Sequence, residues 1–536
     1  MKKVSFILVA LSLTLTIQAQ TRIAVIADPH VLATSLFDDG SAFENAKNGN
    51  SRLIEHSQFL FDSAMTIIAQ QKPDLLFLVG DMANEGEKAS HDHIVAKLQA
   101  LQNLGIQPVV IPGNNDIANK NALSYAGDQR NTAPSINEDE FKTLYAPFGL
   151  SQAVSTEPGG LSYMLYPNDY LAVLCLNSAK QNTPTVQYNE GGLYEPTIQW
   201  AEGELKKAKD AGRMVIALMH HQVTNHFNME DEMTPNYIAN TTSGYPTLET
   251  LQSRLLAAGV QVVFTGHYHL TSIKHTLNDG TQLYDVGTGS LTSYPSPIRW
   301  VTLSKDGRMD ITTQLIDTYH ALELQRNENT AQGIINRIAD TAYPKIATIS
   351  SVPGYNAFES MFGKDALNLP TSKEQMRADI SDCMLASMTT LVNELSRGDE
   401  HTRSPQKNVD ACMAGFDAYL IDTVCAVCHW SAEMAVIATS AVKKLVKDYR
   451  DMLEEMCHSV FFNYVGEAVR DKNDVLVVPE TLVVPDNTNT LQIAPSTVTS
   501  FDFRLSTFDY QKVFRNGHIY IVREGKTYTL LGHQLD

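Results

Sequence analysis

Arg22–His30 (RIAVIADPH) is a short apolar run that stops at a polar turn. Four further stretches have the same form. Leu75–Asp81 (LLFLVGD) ends in Gly80-Asp81, and Pro108–Asp116 (PVVIPGNND) ends in Gly113-Asn114-Asn115-Asp116. Met214–His221 (MVIALMHH) ends in His220-His221, and Val260–His269 (VQVVFTGHYH) ends in Gly266-His267-Tyr268-His269. Such runs read as buried strands. A polar cluster at the carboxyl end of each strand gathers all five at one rim, where open sheets place ligands.

The clusters offer Asp, His and Asn without a thiolate, a donor set that suits Zn, Fe or Mn. There are more donors than one ion with an open position uses, and enough for two ions sharing a carboxylate. Two ions about 3.5–4 Å apart can clamp a phosphate and turn water into a hydroxide nucleophile.

In order and spelling the clusters resemble the calcineurin-like metallophosphoesterase superfamily, whose pattern runs D-x-H, G-D, G-N-H-D/E, H, G-H-x-H. Gly80–His91 (GDMANEGEKASH), Glu190–Leu193 (EGGL) and His220–His226 (HHQVTNH) are similar to a bacterial cyclic-nucleotide phosphodiesterase-like branch. The resemblance implies that Asp28, His30 and His269 hold a first divalent ion. Asn114, His220 and His267 hold a second, and Asp81 bridges. The pattern does not choose between His220 and His221; the first His after the strand is taken as the ligand. It also implies a small phosphate-ester substrate attacked by a metal-bound hydroxide, with Asn115, Asp116 and His221 as the catalytic residues.

One letter departs from the pattern. The family His after the ligand Asn is Asn115 here. An amide donates a hydrogen bond but delivers no proton, and general-acid help is worth about 100- to 10,000-fold. The expected activity is that of a phosphodiesterase for cyclic nucleotides or similar small diesters. The alternatives are a phosphomonoesterase or nucleotidase, and a metal-binding but catalytically weak binding protein.

Composition sets outer bounds. The 536 residues are 43% hydrophobic and 19% charged, as in a globular protein of several domains. A net charge of −19 argues against wrapping long nucleic acid, which needs a basic stripe. Lys2-Lys3, the apolar Val4–Ile17 and Gln18-Ala19-Gln20 read as a signal peptide, so residues 1–19 are expected to direct export to the periplasm, cell surface or medium. No later stretch has the length and apolarity of a transmembrane helix. The oligomeric state is not readable.

Along the chain, the predicted architecture over 20–318 is α/β: two mixed β-sheets flanked by helices in a four-layer sandwich, which is also the family's fold. Helices are expected at Leu53–Gln70, Ser90–Leu104, Glu138–Leu144 and Thr197–Ala208. A hairpin is expected around Pro167-Asn168-Asp169, and Cys175 reads as a small buried hydrophobe. Asn84 and Glu85 fit either a substrate contact or a capping turn, and His226 either a pocket residue or a solvated loop residue. Residues 319–472 read as an α-helical auxiliary domain, and 473–536 as a small β segment. Cys425-Ala426-Val427-Cys428-His429 spells a c-type haem attachment motif, but core cysteines and a helix-terminal His explain it more simply.

Overall fold

The computed structural model describes residues 20–48, 50–180, 189–224, 226, 246–278, 281–347, 360, 370–397, 475–477, 510–515, 518–523 and 526–529. The export signal, the Cys425–His429 motif and residues 398–472 of the expected helical domain lie outside them.

The strands are β1 (Gln20–Ile26), β2 (Leu75–Val79), β3 (Gln107–Ile111), β4 (Leu123–Ala126), β5 (Gln129–Thr132), β6 (Ser155–Thr156), β7 (Tyr163–Leu165) and β8 (Leu171–Leu176). They continue with β9 (Met214–Met219), β10 (Val262–Thr265), β11 (Ser272–Asn278), β12 (Thr281–Gly287), β13 (Pro297–Ser304), β14 (Met309–Leu315) and β15 (Val475–Val477). One sheet has the order β15-β14-β13-β1-β2-β3, the other β11-β12-β10-β9-β8-β7-β6. β1, β2 and β3 run parallel, as do β8, β9, β10 and β12, while β13 and β11 return antiparallel.

Alternation along each strand divides the core. Ile23, Val25, Phe77, Val79, Val109 and Ile111 face Val173, Cys175, Ile216, Leu218 and Phe264 between the sheets. The opposite face of the first sheet (Ala24, Ile26, Leu76, Leu78) buries Leu60, Phe61 and Ile68 of helix Ser57–Gln71 and Ile94 and Leu98 of helix Lys88–Asn103. The outer face of the second (Leu174, Leu176, Ala217, Met219, Val263) buries Ile198, Ala201 and Leu205 of helix Glu195–Asp210 and Leu251 and Leu255 of helix Leu248–Ala257. Both faces of both sheets are apolar, hence the continuous runs of Leu, Val and Ile. This is the expected helix–sheet–sheet–helix sandwich.

Boundaries differ from expectation by a turn or less. Helix Ser57–Gln71 starts later than expected, after a turn whose Leu53 amide donates to the Thr292 carbonyl at 2.7 Å. The polar stretch after Asn119 is a hairpin of β4 and β5.

Helices His320–Ala347 and Lys373–Arg397 pack as an antiparallel pair. Arg377 bridges to Asp340 and Asn327 to Asn393, while Ala331, Ile335, Ala339, Met376, Ile380 and Met384 are buried. Val475–Val477, read from sequence as part of the C-terminal segment, pairs with β14 as the outer strand of the first sheet. A separate unit, Leu491–Asp536, contains an antiparallel three-stranded sheet of Tyr510–Arg515, His518–Arg523 and Lys526–Thr529. No helix among the described residues is long and apolar enough to cross a membrane.

Candidate metal centre

Parallel neighbours end on the same side of their sheet, so β1, β2, β3, β9 and β10 deliver their polar clusters to one place. The backbone there is bent to a common pattern. Asp28, His30, Asp81, His267 and His269 all have positive φ, between 40° and 65°. For non-glycine residues this region is rare and costs about 1–3 kcal/mol each, and such strain clusters at functional sites. Two glycines make the room. A Cβ on Gly80, itself at φ +77°, would lie 2.4 Å from His220 Nδ1, and one on Gly113 would lie 2.2 Å from Asp81 Oδ1.

The side chains converge in two overlapping sets. Around the first, His30 Nε2 lies 3.0 Å from His269 Nε2, 3.9 Å from Asp28 Oδ1 and 3.7 Å from Asp81 Oδ2. Around the second, His220 Nε2 lies 3.2 Å from Asn114 Oδ1 and 3.4 Å from Asp81 Oδ2, with the His267 ring 5.2 Å from the His220 ring between centroids. Metal–ligand bonds of about 2.0–2.2 Å give ligand–ligand edges of about 3.0–3.5 Å, so these spacings are close to those of coordination shells. The donor chemistry and the spacing both fit divalent ions, and Asp81 Oδ2 belongs to both sets.

Electrostatics agree. Burial, followed by neighbouring cations, holds His30 well below its usual range and brings His267 down to about 3, so both are neutral and able to ligate. Burial also opposes charge on His220, but the Asp81 and Asp28 carboxylates prevail and push it up to about 10. Asp81 stays well below the carboxylate range: burial works against this, and His220 and the Asn115 amide outweigh it. Asp81 is thus ionised beside a protonated His220, and an ion held by His220 Nε2 would displace that proton.

The structure places the three other predicted residues around this core. Asn115 donates its backbone N–H to Asp81 Oδ1 (2.8 Å) and its side-chain amide to Oδ2 (2.7 Å), steadying the shared carboxylate. Asp116 is fully buried and accepts from the N–H groups of Gly113, Met82 and Ala83 at 2.7–3.0 Å, tying the β2 and β3 loops together. His221 Nδ1 meets Ser178 Oγ at 2.8 Å and Nε2 meets the Asn189 carbonyl at 3.1 Å. Since a carbonyl only accepts, Nε2 carries the proton, and both ring nitrogens are engaged by protein. His220, with Nδ1 on the Val79 carbonyl at 2.9 Å, keeps Nε2 aimed into the donor set. His221 does lie within ligating distance of His220 and His267.

His226 is buried, with Nδ1 on Ser272 and Nε2 3.3 Å from Asp285, rather than solvated. Glu85 accepts from Arg52 and Asn119, and Asn84 donates to Glu87 at 3.5 Å. The sequence reading missed Arg52, whose Nη1 lies 2.6 Å from His30 Nδ1. A lone basic residue in a loop carries no pattern that would single it out.

Residues 21–270, which contain all five clusters, match the model of the calcineurin-like phosphoesterase family. A curated relative, a probable cyclic nucleotide phosphodiesterase from Psychrobacter arcticus, is 23% identical over 257 residues, 46% of this chain and 78% of its own. Among solved structures, a dimetal phosphatase from Danio rerio aligns with a TM-score of 0.38 and 14% identity, covering 55% of this chain and 96% of that one. GAP50, described as the anchor in the inner membrane complex of Plasmodium, aligns at 0.30 and 10% identity, covering 56% and 85%.

Proposed function

We propose that this protein is a metal-dependent phosphodiesterase for cyclic nucleotides or similarly small phosphodiesters. The observation that carries the reading is the shared carboxylate: one oxygen of Asp81 lies 3.7 Å from His30 Nε2 and 3.4 Å from His220 Nε2, joining two donor sets. When bound there, two divalent ions polarise phosphoryl oxygens and acidify a water. Asp28, His30, His269, Asn114, His220 and His267 would hold them. Asn115 and Asp116 keep the shared carboxylate and its two loops in register. The diester preference draws support from the name of the Psychrobacter relative and from the EGGL and HHQVTNH stretches. The acidic chain disfavours long polyanions. The export read from Lys2–Gln20 means that the substrate is met outside the cytoplasm.

A second reading, a metal-bound binding protein of weak turnover, is favoured by Asn115. Its amide lies on Asp81, and no imidazole stands at that position to protonate a leaving group.

The test is hydrolysis of an activated diester and a panel of cyclic nucleotides by the Mn-loaded protein, with Asp81→Asn and Asn115→His alongside. Wild-type turnover that Asp81→Asn abolishes is the expected result. Asn115→His should then speed cleavage of poor leaving groups by up to about 100-fold. A wild type that binds Mn yet is silent, with Asn115→His active, replaces the enzyme reading with the binding-protein reading.

A further inference from the structure

The outer face of the second sheet carries a residue that breaks its apolar pattern. Along β12, Tyr284 and Val286 face the core between the sheets, and Leu283 faces the helix layer. Asp285 falls on the Leu283 side, paired with Val263 of β10, where Ala217 and Met219 of β9 are also apolar. It is fully buried. Taking a carboxyl group out of water is costly unless its oxygens are hydrogen-bonded. Local departures from patterning of this kind concentrate at functional sites.

The partners of Asp285 point to the metal centre. Oδ2 accepts the consecutive N–H groups of Val223 and Thr224 at 2.6 and 3.0 Å, and Oδ1 accepts the Thr265 hydroxyl at 2.5 Å. Val223 and Thr224 follow His220-His221-Gln222, and Thr265 precedes Gly266-His267. One carboxyl group therefore joins the two segments that carry His220 and His267. His226 extends the joint: its Nε2 lies 3.3 Å from Asp285 Oδ2, and its Nδ1 meets the Oγ of Ser272, the first residue of β11 after the His269 turn, at 3.0 Å. Nearer the ligands, Gly266 donates its N–H to the His220 carbonyl at 3.0 Å, and Gln222 donates to the Gly266 carbonyl. Asp285 fixes how the chain curls away from β9 beyond that contact.

The two donor sets depend on this joint unequally. The second takes His220 from one joined segment and His267 from the other. The first takes only His269 from them, since Asp28 and His30 belong to the first sheet. Asp28 also accepts the His267 N–H at 2.9 Å, an anchor for the 267–269 turn that does not pass through Asp285.

We propose that Asp285 is a positioning residue of the metal centre, which sets the placement of His220 against His267 and so governs the second donor set more than the first. The proposal rests on the metal-dependent reading of the site and adds to it a residue that acts through the backbone of its neighbours.

The test uses the full chain as wild type, Asp285→Asn, Thr265→Val and Thr265→Ser. Each is titrated with chelator-buffered Zn²⁺ and followed by imidazole ¹⁵N NMR, with thermal melts alongside. Asparagine keeps the size of the side chain, but it has one acceptor oxygen and its NH₂ would face the donors. In Asp285→Asn the zinc-induced shifts of His220 and His267 should need about 10- to 100-fold more free zinc than in wild type. Those of His30 and His269 should keep the wild-type midpoint. Thr265→Val lacks the hydroxyl and should show the same selective loss to a smaller degree. Thr265→Ser keeps the hydroxyl and should match wild type. The Thr265 pair decides the matter if Asp285→Asn does not fold.

Equal weakening at all four imidazoles, in step with a lower melting temperature, overturns the proposal in favour of general support of the fold. Equal midpoints in Thr265→Val and Thr265→Ser overturn it as well. Wild-type midpoints in Asp285→Asn overturn the positioning role and leave the hydrolase reading standing. A wild type in which zinc shifts none of the four imidazoles overturns both.

Discussion

Arg326 and Glu55 form a buried ion pair, 2.8 Å between Nη2 and Oε1, across 271 residues of chain. Their side chains are 7% and 12% exposed. Arg326 also donates to the Lys47 carbonyl at 2.7 Å. The helix His320–Ala347 thus grips the loop that carries Arg52. Removing one partner of a buried pair leaves the other charge uncompensated and costs about 3–5 kcal/mol. Arg326→Ala should show that loss in chemical denaturation. An unchanged denaturation midpoint would show that the pair contributes nothing to the fold.

Gly113→Ala tests the crowding behind the shared carboxylate. The new Cβ would sit 2.2 Å from Asp81 Oδ1, against a buried side chain that has nowhere to go. Bound Mn per chain should fall by about half or more, with the far-ultraviolet circular dichroism of wild type. Wild-type metal content would mean that the β2 and β3 loops can separate without cost.

Asp116→Asn separates holding the site from acting in it. The carboxylate accepts three backbone N–H bonds; an amide has one acceptor oxygen and adds N–H donors that would face those same N–H groups. The expected result is metal affinity about 10- to 100-fold weaker, as for other residues that support ligands, with near-normal kcat at saturating Mn. A kcat that stays collapsed at saturating Mn would assign Asp116 a part in the chemistry itself.

Glu323 gives a pH signature in the stability of the fold. Burial pushes its carboxyl up to about 7, although Ser296 Oγ donates to it. A carboxyl whose folded pKa is raised binds its proton more tightly in the folded state. Its contribution to stability is whole below the unfolded pKa near 4.5 and is lost as pH rises through about 7. Glu323→Gln stays neutral throughout. Its stability relative to wild type should therefore rise in thermal melts taken from about pH 5 to about pH 8. A flat difference across that range would place Glu323 in water.

The converging donor side chains were legible because each cluster follows a strand that is apolar on both faces, and a parallel strand order turns that sequence grammar into one rim. The layers were legible for the same reason: Val25 and Ile26, adjacent in sequence, go to opposite sides of β1. What lay beyond reading depends on distances between loops. Asp116 spells like a partner for the residue before it, yet its carboxylate closes on amides 33 and 34 positions away. Arg52 and His30 meet because two loops fold over one another, and no periodicity encodes that. The left-handed backbone at Asp28, His30, Asp81, His267 and His269 was equally hidden, since these residue types are common at ordinary turns as well.

Asp28 accepts the backbone N–H of His267, and His30 meets His269, each pair 239 residues apart. The first and last clusters of the pattern are therefore neighbours in space, and the pocket exists only once both sheets have formed and closed on each other. Such long-range closure makes for slow folding. A chain caught between the two sheets would present scattered imidazoles and carboxylates that hold an ion weakly. Metal uptake during refolding should accordingly trail the gain of secondary structure, so that a bound ion reports the arrival of the finished fold rather than guiding its beginning.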